Sequence, residues 1–335
     1  MLGTARPLLR CSSRLVIREL SGRAGISGTA RRLGLAMGGA AGLGLGLLSW
    51  DLLSHQPSLL LPPLQAASPP HAQPNVYSQG KEHALYLWIH LEAKAEAKKT
   101  AAAVASLPAI VARLCPKELT DEEDELWAGV GFGPDFYRRL GKIPPASFDY
   151  PARSGANGEL PSTGGDLFIH AKSNSVSKLY ELAAEVEAVL PAGSVQSFQD
   201  IYSFVYRNGR DLSGFIDGTE NRADEEGRAA VAVNPSTSGS FCITQKWIHD
   251  HAKIRSQKKT TLEGWVGRSL EDSTELKRKS ASSHVARMTS GNSWNSKKPV
   301  EIVRQSMPFG TVGGESGLFF IAFAAQPDNF EVRFG

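Results

Sequence analysis

At 335 residues, with 41% hydrophobic and 21% charged side chains, the chain can hold one large or two smaller globular domains and is too apolar for a disordered polymer. Its formal charge of +3 is uneven: residues 1–50 carry seven arginines against one acid, Glu19, so the rest of the chain is at −3 and shows no basic stripe for a nucleic acid. Three cysteines, Cys11, Cys115 and Cys242, lack CxxC spacing, which argues against a zinc site or a disulfide framework.

Residues 1–32 are rich in Arg, Ser and Gly and poor in acids, the composition of an organellar transit peptide. Mitochondrial delivery is the first expectation, with plastid, secreted or cytosolic alternatives. Residues 33–50 are uncharged and hold six glycines, at the lower length limit for a membrane span, so membrane contact is expected there if anywhere. Residues 51–79 contain six prolines and read as a linker. The folded body is expected from about Glu82.

Strands and helices then alternate. Ala84–Leu91 has strand character. The alanine-rich run Glu92–Leu114 predicts one helix. Leu126–Phe132 and Gly165–Ala171 read as strands. Ser175–Leu190 predicts a helix with Val176, Leu179, Leu182, Val186 and Leu190 on one face, and Val195–Tyr206 another strand. The scheme repeats with a strand at 239–248, helices at 250–270, and strands at 300–306 and 317–325. Cys242 falls in an apolar strand and is expected to be a buried small hydrophobe.

Between the halves lies GRDLSGFIDGTEN, Gly209 to Asn221. Alone, its Asp-Gly pair reads as a turn. Glycines on either side of a carboxylate also let something bulky approach closely. An Asp-Gly-Thr phosphohydrolase loop is a rival reading. Such loops need another Asp two residues earlier, where Phe215 stands, and no Gly-rich Lys-Ser/Thr loop occurs elsewhere.

The segment closely resembles the motif of the dye-decolorizing peroxidase family, haem enzymes with an essential distal aspartate. HALYLWIHL, LPSTGGDLFIHAKS, SFCITQKWIHD, LEGWVGRSLEDSTEL, SSHVARM, EIVRQSMPFG and GLFFIAFA resemble further family segments in the same order, from about residue 80 to 325. The resemblance implies an α+β fold of two ferredoxin-like subdomains with antiparallel sheets, of the dimeric α/β-barrel type, spanning 80–205 and 206–335. The second would lack its closing helix and strand, leaving an open sheet edge.

The resemblance also implies one haem b per subunit. His284 would be the axial iron ligand, and the other seven histidines take structural roles. Asp217 would be the acid/base for hydrogen peroxide, with Arg304 and Ser306 assisting; two apart on a strand, these last two can share a face. Gly214, Phe215, Ile216, Asp217, Gly218, Thr219, Glu220, Arg304 and Phe320 would contact the cofactor. The family's carboxylate partner of the ligating histidine lies beyond the residues matched here. Trp247, Trp265 and Trp294 could relay electrons, but packing is the simpler role. The expected activity is peroxide reduction coupled to one-electron oxidation of a small-molecule donor such as a dye or phenol. A haem-binding or haem-handling protein with little peroxidase activity is the alternative. Homo-oligomer formation is a further expectation.

Overall fold

The computed structural model describes residues 14–17, 72–121, 123–143, 146, 152–155, 158–289 and 301–330. The segment 33–50, Trp294 and most of the expected transit peptide and linker lie outside the described residues. The elements in chain order are β1 (Arg14–Ile17), β2 (His83–Leu91), α1 (Ala97–Val104), α2 (Leu107–Leu114), β3 (Leu126–Phe132), α3 (Pro134–Arg139), β4 (Arg153–Gly155) and β5 (Gly158–Leu160). Next come β6 (Leu167–Ser173), α4 (Val176–Val189), β7 (Val195–Phe204), α5 (Glu225–Ala232), β8 (Ser240–Ile248), α6 (His251–Ser256), α7 (Lys259–Val266) and α8 (His284–Thr289). The last are β9 (Val303–Arg304), β10 (Met307–Gly310) and β11 (Ser316–Ala324).

Two expectations about helices need correction. The run 92–114 is two helices, α1 and α2, parted at Ala105–Ser106 ahead of Pro108. The ring of Pro108 removes an N–H and is tolerated in a first turn, so a new helix starts there. On α4, Leu179, Leu182 and Val186 are buried as the spacing predicts, but Val176 in its first turn is exposed.

The first half orders its strands β7-β2-β6-β3, all antiparallel, which is the ferredoxin-like arrangement. The second half is built around β8 and β11. The sheets of the two halves are joined, in keeping with the barrel type expected from the resemblance. β1 pairs with β3 on one side and β8 on the other, and β10 pairs with both β11 and β7, so one nine-stranded sheet closes on itself. An open sheet edge is the expectation for the second half; the flank of β8 is covered by Arg14–Ile17, in the place that β7 takes beside β2.

Closure buries both faces of the central strands. Leu85, Leu87, Ile89 and Leu91 of β2 face the layer of α1, α2 and α4, while Ala84, Tyr86 and Trp88 face the interior. There Tyr86 stacks on Phe319 at 4.0 Å and Trp88 meets Phe319 edge-on at 5.2 Å. Burial of these rings is an apolar contribution joining the halves. Cys242 is buried in the same interior. A third cluster, Phe241, Ile243, Ala322, Ala324 and Phe330 with Phe320 against it, fills the outer face of the second half.

The expected linker ends earlier than residue 79. Asn75, Val76, Tyr77 and Ser78 are buried. The Gln73 carboxamide pairs with the Val130 backbone, donating to its carbonyl (3.0 Å) and accepting from its N–H (2.6 Å). Lys172 donates to the carbonyls of Ser78 and Gln79, and Asn75 bonds the His170 ring. Burial holds both Lys172 and His170 well below their usual pKa values. Gly129 is required beneath this strap, since a Cβ there would lie 2.1 Å from Asn75 Oδ1.

β1 is the seam of the sheet, and its pairing rests on backbone hydrogen bonds. Val16→Pro removes one ladder donor and is expected to lower stability by ~1–3 kcal/mol. Urea unfolding measures this; an unchanged midpoint would show that β1 carries no weight in the fold.

Candidate functional site

The segment after β7 forms a small hairpin-like loop. Asp211 N–H donates to the Phe215 carbonyl, Arg210 bridges Ile216, and Asp217 N–H returns to the Gly209 carbonyl. The turn needs φ of +98° at Gly214 and +76° at Gly218, which is why glycine stands on both sides of Asp217. Asp217 Oδ1 accepts from Gly218 N–H at 2.7 Å.

Side chains fasten the loop to the second half. Arg210 donates to the carbonyls of Gly214, Leu270 and Glu271 at 2.6–2.7 Å. Asp211 receives His249 Nε2 at 2.8 and 2.9 Å and the Ser213 N–H at 2.9 Å. Burial pushes the Asp211 carboxyl up, but these hydrogen bonds and the charge of His249 outweigh it and hold the group below the usual carboxylate range. Glu220 pairs with Arg268. Asn221 bonds the backbone of Arg304 twice.

Arg304 closes β9, and Ser306 follows it. The expected continuous strand 300–306 is interrupted at Gln305–Ser306, although Arg304 faces Ala322 and Met307 faces Phe319 in one unbroken register. The interruption has a chemical cause. The Tyr86 hydroxyl, reaching out of the interior, donates to the Gln305 carbonyl at 3.1 Å. Ile321 N–H then donates instead to Ser306 Oγ at 3.4 Å, while Gln305 N–H still donates to the Ile321 carbonyl at 3.0 Å. The N–H and carbonyl of Gln305 and of Ile321 each keep a partner in the exchange.

Asp217, Gly218, Arg304 and Ser306 line one cleft of about 120 Å³, together with Tyr206 and Arg210. Its apolar wall includes Met307 and Pro308. Arg304 and its strand partner Ala322 share a sheet face, and Phe320, two residues before Ala322, is on that face too. Of the other loop residues expected at a cofactor, Phe215 is buried, Gly214 is turned toward Leu270, and Thr219 and Glu220 are exposed.

His284 opens α8. Gly267, with φ of +92°, ends α7, and a Cβ there would lie 3.0 Å from Ser283 Oγ and 3.2 Å from Val285, so the glycine lets α8 pack closely. His284 does not line the cleft. Its side chain reaches solvent, yet the surrounding protein and then the Arg304 charge lower its pKa, against the opposing pull of Asp217. The ring is thus neutral at pH 7 and makes no hydrogen bond among the described residues. Among those residues no group of three or more His, Cys, Asp or Glu could hold a metal ion. A metal at His284 would have to bring most of its own ligands.

The residues that the motif spacing did not assign are Asn221, His249 and Tyr86. Asn221 ends the quoted motif, but nothing in one sequence couples it to a strand 83 residues on.

Models of the two halves of one family match the chain: Dyp-type peroxidase, N-terminal, over residues 73–195, and Dyp-type peroxidase, C-terminal, over residues 208–334. The dye-decolorizing peroxidase of Rhodococcus erythropolis is 34% identical over 211 residues, covering 60% of this chain and 61% of that protein. That of Mycobacterium tuberculosis is 31% identical over 221 residues, covering 62% and 64%. The chain therefore spans less than two thirds of the length of these curated relatives. Among solved structures, a dye-decolorizing protein from V. cholerae superposes with a TM-score of 0.69 at 30% identity, over 78% of this chain and 86% of that one. A variant of Rhodococcus jostii RHA1 DypB in complex with heme gives 0.69 at 27% identity, over 77% and 84%. The chain belongs to the dye-decolorizing peroxidase family.

Asp211 is the loop's buried charged anchor. Since its folded pKa is depressed, its stabilisation is full above the unfolded carboxylate range near pH 4 and fades as pH falls through the lower folded value. Asp211→Asn is expected to cost ~1–3 kcal/mol at pH 7. The gap to wild type in urea unfolding should stay level down to about pH 5 and narrow below about pH 4.

Proposed function

We propose that the protein is a haem b peroxidase that reduces hydrogen peroxide and oxidises a small-molecule donor in one-electron steps. The observation that carries this reading is the joint placement of Asp217, Arg304 and Ser306 on one cleft, with a neutral, unbonded imidazole within range of both charges. The donor set fits haem. A porphyrin supplies four of an iron's ligands, so one neutral histidine ring nitrogen from the protein suffices. His284 would hold the iron, and Phe320 and the Gly218 backbone would lie against the ring system.

When bound, haem would supply the redox chemistry toward peroxide and donor. The protein's part is positioning, proton movement and charge. Asp217 Oδ1 is engaged by Gly218 N–H, which leaves Oδ2 to accept a proton from hydrogen peroxide and return it to the oxygen that would depart as water, the electrons for O–O cleavage being those that haem would supply when bound. The Arg304 guanidinium favours the negative charge that develops on the departing oxygen. The Ser306 hydroxyl, oriented by Ile321 N–H, can donate to peroxide. Dyes or phenols are the proposed donors. A homo-oligomer and membrane contact through 33–50 remain part of the proposal. The arginine-rich residues 1–32 support delivery to mitochondria, and a leader removed on import would take β1 with it.

The test is spectroscopic. The purified protein with haem should show a Soret band, and His284→Ala should lose it. Asp217→Asn should slow the reaction with peroxide by about 10²–10⁴-fold, and Arg304→Leu by about 10²–10³-fold, in stopped-flow mixing. A Soret band with no peroxide reaction would indicate a haem-binding or haem-handling protein instead.

A further inference from the structure

We infer that Asn221 is the positioning residue for Arg304: its carboxamide takes the place of a neighbouring strand on the open flank of β9. The inference rests on the reading of Arg304 given above and adds how that residue is held.

β9 is two residues long and, among the described residues, pairs with β11 on one side only. Gln305 N–H points to the Ile321 carbonyl. By the alternation of an antiparallel ladder, the N–H and C=O of Arg304 therefore point away from β11. Asn221 satisfies both: its Nδ2 donates to the Arg304 carbonyl at 2.5 Å, and its Oδ1 accepts from Arg304 N–H at 3.0 Å. A primary amide offers the same donor and acceptor as a peptide group, so one side chain supplies one rung of a ladder.

Asn221 lies four residues after Asp217 on the fastened loop. The two bonds thus set the spacing between the proton-moving carboxylate and the guanidinium. Another tie between the two segments among the described residues is Arg222 with Glu301 at 2.7–3.1 Å, Arg222 exposed and Glu301 half-buried. An ion pair open to solvent is weak and holds two long, rotatable side chains, not backbone. Asn221 is partly buried and grips the main chain of Arg304 itself.

The test uses Asn221→Ala and Asn221→Asp in the full chain. In the haem-free protein, amide hydrogen exchange read at Arg304 should quicken by about 10-fold in Asn221→Ala, the loss of one hydrogen bond, with β11 unchanged. Asn221→Asp keeps an acceptor for the N–H and should fall in between. In the haem-loaded protein, kcat/KM for hydrogen peroxide should fall by about 10- to 100-fold in Asn221→Ala, while kcat/KM for ferrocyanide, a one-electron donor, stays within about 2-fold. Unchanged exchange at Arg304 would overturn the proposal. So would an equal fall of both kinetic constants, which marks general damage, or quickened exchange with unchanged peroxide kinetics. A wild-type protein that turns over no peroxide defeats the peroxidase reading, and the exchange result then decides on the clamp alone.

Discussion

One hydrogen bond from the interior shapes the site: the Tyr86 hydroxyl to the Gln305 carbonyl. Tyr86 is fully buried, and burial pushes its pKa strongly up, so the phenol stays a donor at any working pH. An unpaired hydroxyl in that interior would be costly. The nearest solution is to take a carbonyl out of the β11 ladder. That choice breaks the strand between Arg304 and Met307 and turns the Ser306 hydroxyl into the replacement partner for Ile321. The residue that repairs the ladder thereby gains a fixed place on the cleft wall.

The same economy governs the sheet's free flanks. A closed sheet removes most edges, but short strands still expose backbone groups. At two residues, Val130 and Arg304, both the N–H and the carbonyl are met by a carboxamide standing in for a peptide, Gln73 and Asn221 respectively. Gln305 uses a third amide, donating to the Val76 carbonyl at 2.7 Å and so linking the strap over the first half to the strand of the second. Arg228 does likewise through the Tyr77 carbonyl at 2.7 Å. The strap from residue 72 onward thus joins the halves through polar contacts at the rim, while Tyr86, Trp88 and Phe319 join them through apolar burial within.

The local elements were legible because their patterns are local. The α4 leucines follow helical spacing, and Ala84–Leu91 alternates between two buried faces. The family resemblance carried the site residues, and Asp217, Arg304 and Ser306 do meet. What one sequence did not disclose depends on distant partners. The proline content of 51–79 hid the buried strap, because Asn75 and Gln73 find their acceptors more than 50 residues away. The pairing of Arg14–Ile17 with β8 joins segments over 220 residues apart, within a stretch whose composition signals targeting. The break at Gln305 follows from a tyrosine 219 residues upstream.

The electrostatics of His284 follow from the same layout. Arg304 and Asp217 act on its ring with opposite signs, so their effects partly cancel and desolvation decides the outcome. A neutral imidazole is the form that can donate a lone pair to a metal. Holding Asp217 and Arg304 at a set spacing therefore serves both sides of the site. It presents an acid/base beside a fixed positive charge on the cleft, and it sets the opposed charges that reach His284, where the larger Arg304 effect acts with desolvation to lower the ring's pKa.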